Sequence, residues 1–280
     1  MYPAIFSRTY PAKDVAEVFA AAAADGYSGV QANLSSAGLA SLPESLPAGI
    51  GPRFAHQAQV HGIWIAALSG TYNMAHPDER ARQAARAGFR NVVMAARDMG
   101  APVVSLCTGS RNEQDMWTAH PGNNDPAAWI DLRAELQFAL VLAQEAGIKL
   151  AVEPEPANVV CDARAARRLL DEMAAPHLGV ILDAANLLSP EMLLRQHEVM
   201  REAAELLGDF LLLAHAKDID AAGQVVAPGE GAIDLPAFAR VLRSVGYDGA
   251  LIAHGFSADK GKDAAKFLAR LVTLASEEPL

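Results

Sequence analysis

Cysteine is scarce in this chain. Its 280 residues contain two, Cys107 and Cys161. No CxxC spacing exists, so neither a disulfide framework nor a thiolate zinc site is available. Basic residues are outnumbered: 23 Lys and Arg face 33 Asp and Glu, a formal net charge of −10. Such a balance repels phosphate backbones and argues against nucleic acid as a partner. No uninterrupted apolar run approaches the roughly 20 residues that span a bilayer. The opening MYPAIFSRTYPAKD has no basic-then-apolar leader pattern. The expectation is a cytoplasmic protein without a membrane partner. Also missing are a Gly-x-Gly-x-x-Gly turn after the first strand-like run, any low-complexity segment and any linker. The chain therefore reads as one domain over residues 1–280.

What is present is an alternation. Short apolar runs stand at AIFS (4–7), GVQANL (29–34), GIWIAALS (62–69), PVVSLC (102–107), KLAVEP (149–154), GVILDA (179–184), FLLLAHAKD (210–218) and ALIAH (250–254). Each is short for a helix and bounded by Gly, Pro or polar residues, as strands are. Helical patterns lie between them, at 12–25, 78–99, 126–147, 163–173, 190–207, 235–245 and 258–274, with a weaker one at 53–61. The 126–147 segment shows the logic. Trp129, Leu132, Leu136, Leu140 and Ala143 recur at three- and four-residue spacing, and Pro126 stands near its first turn. Strand–helix alternation implies parallel strands with crossover helices. About eight such units predict an α/β protein, a closed (β/α)8 TIM barrel, with an open doubly wound sheet as the competing arrangement.

In such barrels chemistry gathers at the carboxyl ends of the strands. Run five ends in Glu153, followed by Glu155; run six ends in Asp183, followed by Asn186. Run seven carries His215, then Lys217 and Asp218, and run eight ends in His254. Taken singly, each of these has an ordinary explanation. Asp183 suits a helix cap, a lone histidine suits a buried hydrogen-bond partner, and Lys217 with Asp218 suits a surface ion pair. Taken together, oxygen and imidazole donors on four adjacent strands suit one divalent cation: manganese, magnesium, cobalt or zinc. The expected ligands are Glu153, Asp183, His215 and His254.

The first half is less pointed. Asn73 and His76 follow run three, although His76-Pro77-Asp78 also resembles a helix start. The loop at 108–125 is long for a compact barrel and suits a lid or binding loop. It carries Arg111, Trp117 and His120. Arg111 suits a carboxylate or phosphate, and Trp117 suits a sugar face or a mere anchor to the core. Asn73, His76, Arg111, Trp117, His120 and Asn186 are the expected substrate contacts. Cys107 is given no chemistry, and the Pro228-Gly229-Glu230-Gly231 segment is read as a turn. The long loop and an apolar rim would suit a homodimer.

Several segments together resemble the sugar phosphate isomerase/epimerase family, the xylose-isomerase-like barrels that include AP endonucleases. They are SGTYNMAHPDERAR (69–82), DMGAPVVSLCTGS (98–110), LAVEPE (150–155), ILDAAN (181–186), HAKD (215–218), GEGAIDLPAFARVL (229–242) and GYDGALIAH (246–254). The resemblance covers nearly the whole chain and is specific for the superfamily, not for a substrate. It implies a metal-dependent isomerase or epimerase acting on a sugar or sugar phosphate. Metal ligation carries over to Glu153, Asp183 and His215. The fourth family ligand is a glutamate, and here His254 stands instead. A histidine three residues after the aspartate is Asn186 here. In family epimerases the first and last glutamates form a paired acid/base set. That leaves Glu153 or Glu155 as base, with His254 or Lys217 as acid partner. A lyase of the same superfamily, eliminating a β-substituent from a 3-keto sugar, is the alternative, since it needs one base. A nuclease on abasic DNA is disfavoured by the acidic charge. A sugar-binding barrel without catalysis is the further possibility.

Overall fold

The structure, a computed structural model, describes residues 1–277. Seven strands come first: β1 (Tyr2–Phe6), β2 (Gly29–Ala32), β3 (Trp64–Ser69), β4 (Val103–Cys107), β5 (Lys149–Glu153), β6 (Leu178–Asp183) and β7 (Leu211–His215). A two-stranded antiparallel ribbon follows, β8 (Asp218–Ile219) with β9 (Val225–Val226), and then β10 (Ala250–Ala253). The eight long strands pair in parallel, and β10 closes the ring between β7 and β1. Closure removes every sheet edge, which an open doubly wound sheet would leave. The fold is thus the (β/α)8 TIM barrel.

Two apolar layers explain the near-continuous hydrophobic strands. Inside the ring sit Ala4, Ala66, Ala67, Ala151 and Ala250 with Val103, Ile181, Leu213 and Ile252. Small residues alternate with branched ones because the interior of an eight-stranded barrel has room for little more. Outside, the larger side chains of strands and helices interlock, with Phe19, Phe54, Phe89 and Phe238 fully buried.

The helices are α1 (Val15–Asp25), α2 (Ile50–His61), α3 (Glu79–Met99), α4 (Pro126–Ala146), α5 (Ala163–Met173), the single turn α6 (Ala184–Leu187), α7 (Gln196–Leu207), α8 (Leu235–Ser244) and α9 (Gly261–Glu277). Local chemistry sets most of their ends. Asp14, Asp78, Asp162 and Asp234 accept backbone amides at N-termini. Gly26, Gly62, Gly100 and Gly147 stop helices in the left-handed conformation.

Two expectations are corrected. The helical pattern at 190–207 is a 3-10 segment, Pro190–Arg195, followed by α7. Arg195 leaves helical geometry at φ −116°, ψ 16°, and so divides them. The run at 210–218 is not one strand. It ends at His215, and the chain then turns into the ribbon. Asp218 explains the turn. It is fully buried, and its carboxylate accepts the backbone amides of Ile219, Gly229, Gly231 and Ile233. A Cβ at position 231 would collide with that carboxylate, so glycine is required there. Asp218 is therefore not half of a surface ion pair with Lys217; it organises the segment that contains the 228–231 turn.

Candidate metal centre

Glu153 ends β5, Asp183 ends β6, His215 ends β7, and His254 follows β10. The barrel brings all four to one mouth. One donor atom from each lies within 4.8 Å of the other three. His215 Nδ1 stands 3.1 Å from Glu153 Oε1, 3.1 Å from His254 Nε2 and 4.0 Å from Asp183 Oδ2. His254 Nε2 is 3.7 Å from Asp183 Oδ2. Bonds of about 2.0–2.2 Å to a tetrahedral ion place donors about 3.3–3.6 Å apart. The cluster already has nearly that spacing.

Hydrogen bonding shows which lone pairs are free. His215 Nε2 contacts Gln31 Oε1 at 2.8 Å, and Gln31 Nε2 donates to Ser105 Oγ at 3.1 Å. With the amide so oriented, Nε2 carries a proton. His215 Nδ1 then faces Glu153 Oε1 and His254 Nε2, and this buried contact needs a positive charge within it, either a proton on the imidazole or a cation held between the three groups. Asp183 supports the same conclusion. Its Oδ1 accepts the amide of Ala185, whereas the fully buried Oδ2 makes no hydrogen bond. Its cationic neighbour is Lys217 Nζ at 3.1 Å. The donor set thus fits a divalent cation. Gln31→Leu is expected to weaken metal binding roughly 10–100-fold, because the imidazole loses its orienting acceptor. Competition against a chromophoric chelator measures this. An unchanged affinity would mean that packing alone holds His215.

Electrostatics around the cluster are mixed. Burial pushes Glu153 upward, but positive charge on the His215 ring beside it, with an N–H donated from Nδ1, outweighs this and lowers its pKa. Burial likewise opposes the charge of Asp183, yet Lys217 and the two histidines hold it well below the usual carboxylate range. Lys217 is desolvated too, but Asp183, Glu153 and Glu155 surround it and raise its pKa above the ordinary lysine value. Its Nζ also donates to Asn186 Oδ1 at 2.7 Å, so it stands as a fixed ammonium. Burial raises Glu155 and lowers His254. Cys107 is raised well above its usual value, again by burial first. As a thiol it reaches Glu153 Oε2 at 3.8 Å.

Above the cluster lies a cavity of about 510 Å³. Glu153, Glu155, His215, Lys217, His254 and Trp117 are among its walls. Asn186 is buried just behind it, where its Nδ2 donates to Glu153 Oε1 at 2.9 Å. The other expected substrate contacts have different partners. Asn73 ties the loop after β3 to the loop after β4 through the amide of Ser110 and the carbonyls of Ser110 and Asn112. Gly109, at φ +79°, lies so close to Asn73 that a Cβ would collide with it. His76 bonds within its own turn and to the Glu113 carbonyl. Arg111 pairs with Asp131 at 2.7 Å, and His120 caps the short 3-10 helix Pro121–Asn124. These four side chains build the 108–125 loop and do not line the cavity. Gln31, Arg8 and Cys107 do line it. Gln31 carried a signal in sequence, as a lone amide within the apolar run GVQANL. Arg8, a cation directly after the first strand, carried a weaker one.

Comparison with known proteins agrees with this architecture. The sequence matches the xylose isomerase-like TIM barrel family over residues 19–271. The chain belongs to that family, as its scattered segments suggested. No curated protein matches the chain. Among solved structures it is similar to the 3-keto-D-glucoside 4-epimerase YcjR of E. coli, with TM-score 0.76 at 18% identity, covering 98% of this chain and 99% of that one. It is also similar to a D-tagatose 3-epimerase-like protein, with TM-score 0.78 at 16% identity and 99% coverage of both chains. A third is the IOLI protein solved with a zinc atom, with TM-score 0.76 at 18% identity, covering 99% of this chain and 100% of that one. At these identities the likeness establishes the fold. No helix among the described residues is long and apolar enough to cross a membrane.

Proposed function

We propose that this protein is a divalent-metal-dependent isomerase or epimerase of a keto sugar, free or phosphorylated. The observation that carries the reading is the convergence of Glu153, Asp183, His215 and His254 at the barrel mouth. Two imidazoles with two carboxylates favour zinc, cobalt or manganese over magnesium. Activities of similar barrels, a keto-glucoside epimerase and a tagatose epimerase-like protein, support the substrate class.

Glu153, Asp183, His215 and His254 would hold the ion. When bound, it supplies Lewis-acid polarisation of a carbonyl oxygen. Glu155, outside the donor cluster but in the same cavity, removes a proton from the carbon beside that carbonyl. The Lys217 ammonium, held by Asp183 and Asn186, stabilises the negative charge that then builds on oxygen. Return of the proton from Glu155 to the neighbouring carbon isomerises the sugar; delivery of a different proton, from solvent, to the opposite face of the same carbon epimerises it, with the first proton left on Glu155. Trp117, half exposed at the entrance, offers a flat face to the ring.

One observation favours the lyase reading. Glu153 and Glu155 are the only carboxylates lining the cavity among the described residues. If Glu153 binds the ion, a single carboxylate base remains, which suits elimination of a β-substituent better than a two-sided exchange. Metal-loaded protein should be incubated with 3-keto-glucose, its glycosides and ketohexoses in deuterated water. Deuterium at carbon with an epimerised or isomerised sugar is the expected result. An unsaturated product would establish the lyase, and no exchange on any keto sugar would overturn both readings.

A further inference from the structure

The catalytic cavity is not the whole of the opening. A second chamber of about 610 Å³ adjoins it, and Phe6, Arg8, Val225, His254 and Gly255 line both. A hexose has twelve non-hydrogen atoms. The inner chamber alone has room for about seventeen waters at roughly 30 Å³ each. The sugar ring therefore leaves the outer chamber free.

The walls of that outer chamber are built in advance. Arg8 stands on the 3-10 turn Ser7–Thr9, whose buried Ser7 hydroxyl bonds the Asn33 amide and the Ser36 hydroxyl. Val225 stands on the ribbon whose return segment Asp218 organises, and is 46% exposed. Phe6 and Phe256 are both partly exposed, and Phe6 lies edge-on to His254 at 6.0 Å. The remaining charges are spent or free in an informative way. Lys260 pairs with Glu230 at 2.7 Å, and Lys217 with Asp183. Arg8 makes no hydrogen bond or ion pair among the described residues. Two phenyl rings, a valine and an unengaged guanidinium form a surface for a flat apolar group. Rings pack edge-to-face or offset-stacked, and a guanidinium stacks on an aromatic face.

We infer that the substrate is a glycoside with a planar aromatic aglycone, the keto-sugar ring lying over the donor cluster and the aglycone filling the outer chamber. This rests on the keto-sugar reading above and narrows it. The test uses binding, so that it is separable from turnover. Calorimetry on the metal-loaded protein would compare phenyl glucosides with methyl glucosides, each as both anomers, and with cellobiose and maltose. The better phenyl anomer should bind at least tenfold tighter than its methyl counterpart and tighter than either disaccharide. In Phe256→Ala, which touches the outer chamber alone, that advantage should fall below tenfold, with methyl glucoside binding as the internal control for folding. A phenyl advantage below tenfold in the wild type, tighter disaccharide binding, or an advantage that survives Phe256→Ala would overturn the inference. The deuterium experiment fails independently. Exchange on free keto sugars without a phenyl preference would leave the reaction standing and remove the aglycone. A phenyl preference without exchange would leave the binding chamber and remove the reaction.

Discussion

Asp183→Asn is expected to abolish the stabilisation that a divalent ion gives this protein. In the wild type, chelator-treated protein should gain about 2.7 kcal/mol when zinc or manganese is supplied at roughly 100 times its Kd. For a chain of this size that is roughly 5–10 °C in Tm. The asparagine keeps an Oδ1 for the amide of Ala185, so the cap on α6 survives. What it removes is the negative charge at Oδ2, which faces the donor cluster and Lys217 Nζ at 3.1 Å. The melting shift on adding metal should then disappear. Turnover of a keto sugar should fall at least about 100-fold, since a Lewis acid supplies several kcal/mol of transition-state stabilisation. A variant that still melts later with metal would place the ion elsewhere. Scanning calorimetry with and without chelator reads the result.

The second large effect lies away from the mouth. Glu135 is 1% exposed on α4, and Arg86 holds it bidentately at 2.8 and 3.0 Å. Arg82, also buried, approaches Glu135 at 3.4 Å and Asp131 at 3.1 Å, and Tyr72 donates to Glu135 at 3.2 Å. Asp131 in turn takes Arg111. This network fastens the loop that presents Trp117 to the helices behind it. Breaking a buried pair by deleting one partner costs about 3–5 kcal/mol, because the other charge stays buried. Glu135→Ala should therefore lower the Tm by roughly 6–20 °C. Glu135→Leu fills the volume and should recover little of that loss, since Arg86 loses the carboxylate that holds it and Arg82 keeps Asp131 alone of its two carboxylate partners. A Tm within 2 °C of the wild type, again by roughly the same scaling, would show that water reaches Arg82 and Arg86.

The same network explains why Arg111 was attractive as a substrate contact. A cation in a long loop after a barrel strand has two destinations, a ligand or a carboxylate of the fold. Sequence carries no signal to choose, because Asp131 is twenty residues away and its position depends on how α4 packs against α3. Asn73, His76 and His120 share this ambiguity. Loops without regular geometry satisfy their own backbone groups, and short polar side chains do much of that work. Trp117 differs because no polar demand draws it inward beyond its backbone amide, so it can remain at the entrance.

The four donor positions are legible in the sequence for a physical reason. In a parallel barrel every strand runs the same way, so strand ends share one face whatever the order of packing. Glu153, Asp183, His215 and His254 are thus brought to the same mouth by strand direction alone. Gln31 belongs to the same mouth, yet its role depends on facing His215 across the ring, 184 residues away in sequence.

Local patterns in the chain determined the strand and helix alternation, most helix ends and the four polar strand ends, since these depend on neighbours a few residues apart. Only the tertiary structure decided that Asp218 serves the backbone, that Arg111 serves α4, that Gln31 orients His215, and that a second chamber opens beside the first. Each of those depends on which distant segments meet when the ring closes, and distance along the chain carries no record of that.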